Sequence, residues 1–88
     1  MPGTNNEAIT LQQRLAFGWR LRQLRESKGM TQTALAAAAG LNRSFYVQVE
    51  HGNHSISVDR VFALARVLGV NMSELFTGLP VKADEEHA

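Results

Sequence analysis

A chain of 88 residues with no cysteine has room for one modest core, in a single domain that gains from self-association, and none for a disulfide framework or a thiolate metal site. Its opening residues, MPGTNNEAIT, lack the cationic-then-apolar order of a secretory signal, and no apolar run approaches membrane-spanning length, so a soluble, cytoplasmic protein with no membrane partner is expected. The formal charge of +1 hides an uneven spread: residues 8–66 hold eight Lys or Arg against three acids, a balance of +5, whereas residues 67–88 hold Lys82 against four acids, a balance of −3.

Residues 1–8 carry no apolar period and are expected to form a flexible N-terminal segment. From Ile9 to Lys28 the residues Leu11, Leu15, Gly18, Leu21 and Leu24 recur at spacings of three and four, with Phe17 on the same side, which predicts an amphipathic helix ended by Gly29. Trp19 falls beside this stripe and is either partly buried against the N-terminal segment, the favoured reading, or exposed. Thr31 is placed to cap a second helix, QTALAAAA, whose small residues permit close packing and which stops at Gly40. Asn42 caps a third, RSFYVQVEH, closed by Gly52. Beyond the turn-rich GNHSI, Ser57 caps a fourth helix through Leu68, with Val61, Leu64, Ala65 and Leu68 facing inward. Asn71 caps a short fifth, MSELF. The body thus spans 9–79, and residues 80–88 form an acidic tail without an apolar period.

The expected fold is all-α, a compact five-helix domain. The join between the second and third helices is very short and contains Gly40, which is the signature of a helix-turn-helix. In that motif the second helix lies in the DNA major groove with its N-terminal residues nearest the base edges. A helix turns about 100° per residue, so Arg43, Ser44, Val47 and Gln48 share one outward sector, and Tyr46, Val49 and Glu50 lie roughly opposite. Arg43 suits bidentate pairing with guanine, Gln48 with adenine, Ser44 a base or phosphate, and Val47 a thymine methyl. The bland alternative is a solvent face with one exposed valine.

That alternative leaves Glu50 unexplained. Burying an unpaired carboxylate costs several kcal/mol, so Glu50 on the inward side calls for a cation, and Arg25 near the end of the first helix is the best placed. His51 and His54 are three apart, but with no third ligand of matching spacing no metal or cofactor is expected, and phosphate contact is their better role. Phe45 borders the reading face and either flanks the DNA backbone or packs on the fourth helix. With no nucleophile–base pair, carboxylate dyad or phosphate-cradling glycine loop, the chain reads as a non-enzyme.

From Phe17 onward, GMTQTALAAAAGLNRSFYVQVEHG and SISVDRVFALARVLGVNMSELF resemble the Cro/repressor-type helix-turn-helix family, with Thr31, Gln32, Leu35, Ala36, Gly40, Tyr46, Val49, Glu50 and Gly52 at the family's spacing. The resemblance implies a lambda-repressor-like domain in which Gln32 touches a phosphate, Arg43, Ser44 and Gln48 reach bases, and Arg25 and Glu50 are the family's buried ion pair; the capping Asn42 beside them is also expected at the DNA. The stretch LNRSFYVQVEHGNHSIS further resembles the controller proteins of bacterial restriction–modification systems, although HGNHS replaces a more basic loop. It implies a homodimeric transcription regulator on palindromic operator DNA, with RNA polymerase as a further candidate partner.

Apolar residues left after the core is filled, Phe62, Met72, Leu75, Phe76 and Leu79, are the expected dimer surface, the alternative being that all of them belong to the core. Two rival readings of the same scaffold are an antitoxin of a toxin–antitoxin pair and a protein- or RNA-interaction module.

Overall fold

The computed structural model describes residues 2–79. Five helices follow in order: α1 (Pro2–Ser27), α2 (Gln32–Ala38), α3 (Arg43–Glu50), α4 (Val58–Leu68) and α5 (Met72–Leu75). Each of the last four opens on the residue whose side chain relieves an orphan backbone N–H. Thr31 accepts from Ala34 at 3.0 Å, Asn42 from Phe45 at 3.1 Å, Ser57 from Arg60 at 3.3 Å and Asn71 from Glu74 at 3.1 Å. The start of α1 departs from expectation. The helix begins at Pro2 and not at Ile9, because a proline at the first helical position forfeits no hydrogen bond and nothing in the next turns breaks the helix. The expected acidic tail, 80–88, lies outside the described residues.

The core joins Phe17, Leu21 and Leu24 of α1 to Leu35 and Ala36 of α2, Tyr46 and Val49 of α3, Val61, Leu64, Ala65 and Leu68 of α4, and Leu75 of α5. Only the second half of the α1 stripe enters it: Leu11 is exposed, and Leu15 is about half exposed with its other side on Gly52. Trp19 also differs from expectation. It is 58% exposed, because it points off the stripe and no neighbouring helix reaches it.

Two glycines set how closely α1 approaches α3. A Cβ on Gly18 would lie 2.7 Å from the carbonyl carbon of Glu50 and 2.8 Å from the carbonyl oxygen of Val49, so only glycine permits this crossing. At the end of α3, Gly52 holds φ +79° with Leu15 packed on it, and a Cβ there would lie 2.7 Å from Leu15 Cδ2. Arg14 fastens the same corner by donating from Nε to the Gly52 carbonyl at 3.2 Å.

Candidate nucleic-acid interface

The inner side of α3 is anchored by a network around one carboxylate. Arg25 donates to Glu50 twice, from Nε to Oε2 at 2.6 Å and from Nη2 to Oε1 at 3.2 Å, and its Nη1 binds the Met30 carbonyl at 2.8 Å. Gln32 Nε2 donates to Oε1 at 3.0 Å, and the Tyr46 hydroxyl donates to Oε2. Among the described residues no buried side-chain nitrogen or oxygen lacks a partner, which is the condition under which a buried ion pair is tolerable. Burial alone would raise the Glu50 pKa, but the hydrogen bonds from Arg25, Tyr46 and Gln32, with the Arg25 charge, outweigh it and hold the carboxyl below its ordinary range. The hydrogen bond to Glu50 raises Arg25 in turn, and burial followed by the same carboxylate raises Tyr46. The pairing required by the sequence is thus made, and it ties α1, α2 and α3 together.

On the opposite side Arg43 and Ser44 are exposed and Val47 and Gln48 are half-buried, all four on the outward sector. The two long side chains of this sector are held by neighbours. Arg43 donates from Nε to Thr33 Oγ1 at 2.8 Å, which leaves the two terminal nitrogens of its fork uncommitted by that contact. Gln48 Oε1 accepts from Asn53 Nδ2 at 2.8 Å, which leaves a lone pair and the amide N–H groups uncommitted. Neither Thr33 nor Asn53 stands out in the sequence. Their roles come from the α2–α3 crossing and from the turn after α3, where Asn53 N also returns to the Gln48 carbonyl at 2.9 Å.

The remaining expected contacts fall around this face in different ways. Asn42 spends its side-chain oxygen on the helix cap. Gln32, half-buried, is turned inward to Glu50 and keeps its carbonyl and one N–H for anything outside. His51, at the end of α3, and His54 are both exposed. Of the two roles expected for Phe45, the packing contact on the fourth helix is present: its ring carries the Arg60 guanidinium of α4 at 5.2 Å and lies 6.0 Å from the His54 ring.

A helix-turn-helix family model matches residues 21–75, which spans α2, the turn, α3 and the helices that hold them. The chain belongs to the Cro/repressor-type helix-turn-helix family. It is 31% identical to the control protein C.MunI of a Mycoplasma species, over 75% of this chain and 90% of that one. It is 36% identical to the control protein C.BamHI of Bacillus amyloliquefaciens, over 70% and 78%. Among solved structures, the restriction-modification controller protein C.AhdI of Aeromonas hydrophila superposes with a TM-score of 0.69 at 42% identity, covering 70% of this chain and 94% of that one. The family member described here is therefore a DNA-binding transcription regulator and not an enzyme, and α2 and α3 are its helix-turn-helix.

One part of the expected dimer surface needs correction. Leu75 is fully buried within the chain, because the single turn of α5 directs it between α1 and α4, and it is not available to a second copy. Met72 and Leu79 are half-buried against the same core, whereas Phe62 is 49% and Phe76 42% exposed. Phe76 already stacks on Phe17, with ring centroids 5.4 Å apart. Among the described residues no helix is long and apolar enough to cross a membrane, and no group of three or more His, Asp or Glu could hold a metal.

Proposed function

We propose that the protein binds palindromic operator DNA as a homodimer and acts as the controller of a restriction–modification system. The observation that carries this reading is the outward row Arg43, Ser44, Val47 and Gln48, with Arg43 and Gln48 steadied by Thr33 and Asn53, on the second helix of the motif. The likeness to C.MunI, C.BamHI and C.AhdI supports the controller role. In this reading Arg43 pairs with a guanine and Gln48 with an adenine, Ser44 and Val47 complete the base contacts, and Gln32, Asn42, His51 and His54 lie along the phosphates. A single module of this size covers too little DNA for tight specific binding, so two copies are needed. Phe62, Phe76 and the exposed parts of Met72 and Leu79 form the contact between them, and a two-fold dimer sets the two α3 helices about 34 Å apart, one turn of DNA.

The test is a selection of binding sites from random DNA, followed by sedimentation of the protein free and on the selected duplex. An inverted repeat bound by two protomers is the expected result. A particle that stays near 9.7 kDa when free and binds as one copy would refute the dimer, and the absence of any selected sequence would refute specific reading. Contact with RNA polymerase belongs to the same reading and is tested by transcription with purified polymerase from a promoter beside the selected site.

A further inference from the structure

The exposure of Trp19 is unusual for a large aromatic side chain, and its surroundings suggest a use for it. Its ring lies 5.7 Å from the Arg22 guanidinium carbon, one turn along α1, within the range of a cation–π contact. Trp19 and Arg22 form one wall of an open groove, Leu15 continues that wall, and Gln32 and His51 form the other, with the Arg25–Glu50 pair beneath. Glu26 accepts from Arg22 Nε at 3.1 Å, which leaves the two terminal nitrogens of this half-exposed side chain for another partner.

We propose that this groove is a DNA-backbone subsite, in which Arg22 binds a phosphate oxygen and the Trp19 ring lies against the adjoining sugar. The proposal rests on the DNA-binding reading above and extends it from the helix-turn-helix onto α1. Three observations support the occupant. First, the groove is continuous with the reading face, because His51 follows Arg43 and Val47 at four-residue steps along α3 and forms part of its wall. Second, the first helix of the motif crosses the backbone, and that helix begins at Gln32, on the groove's other side from Trp19 and Arg22. Third, Glu50 is neutralised by Arg25, so the groups left to a ligand in the groove are the Arg22 guanidinium, the remaining amide N–H of Gln32 and the imidazole of His51, with the Glu26 carboxylate beside Arg22. A planar cation laid against an aromatic ring, beside hydrogen-bond donors, suits a phosphate and its apolar sugar face.

Trp19 is the only tryptophan in the chain, so it reports on its own site. In the full-length protein, its fluorescence should change saturably as duplex DNA is added, on the selected operator and on random sequence alike. Arg22→Gln should weaken both duplexes by roughly tenfold at low salt and lower the slope of log affinity against log salt by about one, with base preference intact. Glu26→Gln, which removes the rim carboxylate and frees Arg22, should strengthen both. Thermal unfolding of each variant separates a folding defect from a binding one, and both positions are exposed. Wild-type protein that binds DNA with unchanged tryptophan emission, together with an Arg22→Gln variant of wild-type affinity and salt slope, would overturn the subsite and leave the reading face standing. Wild-type protein that binds no duplex would overturn the DNA reading of this chain, and the subsite with it.

Discussion

Along α3, Tyr46, Val49 and Glu50 are buried against α1 and α2, whereas Arg43 and Ser44 stand in solvent with Val47 and Gln48 half-covered. Eight residues therefore serve two purposes, and polar groups do the work on both sides. Inside, the carboxylate of Glu50 is saturated by Arg25, Gln32 and Tyr46, so its hydrogen-bonding capacity is spent on joining three helices. Outside, Arg43 and Gln48 each give only one group to a neighbour and keep the rest unspent. Saturation makes a side chain structural, and leftover capacity makes it available to a ligand. The two sides should accordingly fail in different assays.

The largest effect should come from the inner side. Glu50→Ala leaves Arg25 buried without its partner and should destabilise the fold by about 3–5 kcal/mol, read as a shift in denaturation midpoint. Adding Arg25→Met should recover much of that loss, and a midpoint unmoved in the single variant would contradict the pairing. The same carboxyl sets an acid limit. Because its folded pKa is depressed, its contribution is fully present above the ordinary value of 4.5 and is lost as pH falls toward the folded pKa. Wild-type stability should therefore fall more steeply below about pH 4.5 than that of Glu50→Gln, whose side chain does not titrate. Parallel curves for the two proteins would remove Glu50 from the acid transition.

On the outer side, Arg43→Ala should leave the denaturation midpoint within about 0.5 kcal/mol of wild type and cost about 1–3 kcal/mol of binding on the preferred site, with base preference relaxed at one position per half-site. Equal losses on preferred and random duplexes would recast Arg43 as a phosphate contact. The smallest effect is expected from Thr33→Val, which removes the hydroxyl that steadies Arg43 with little change of shape. A loss of about 0.5–1.5 kcal/mol on the preferred site, absent on random DNA and absent again when Arg43 is already alanine, would identify Thr33 as a support for the reader. Additive effects of the two substitutions would show that the hydroxyl acts independently.

Much of the architecture is legible in the sequence because its signals are local. Thr31, Asn42, Ser57 and Asn71 cap N–H groups only three residues ahead, and a hydrogen bond that short depends on little beyond the intervening backbone. The Arg25–Glu50 pair spans 25 positions yet is still recoverable, because the cost of a buried unpaired charge leaves few solutions in so small a core. Side chains whose fate depends on which neighbour arrives are another matter. Leu75 and Phe76 adjoin in sequence, yet the turn of α5 buries one fully and leaves the other partly exposed on Phe17. Phe45 turns to Arg60, Leu11 stays exposed, and Trp19 stays uncovered because it points off the apolar stripe of α1. Thr33 and Asn53 become supports for Arg43 and Gln48 only once α2, α3 and the following turn are in place. Helix period and capping residues thus determined where the chain turns and which of its faces is apolar. The crossing of α1, α2 and α3 decided which polar groups would be consumed in the fold and which would remain to meet DNA, since hydrogen-bonding capacity is settled by contact and not by spacing.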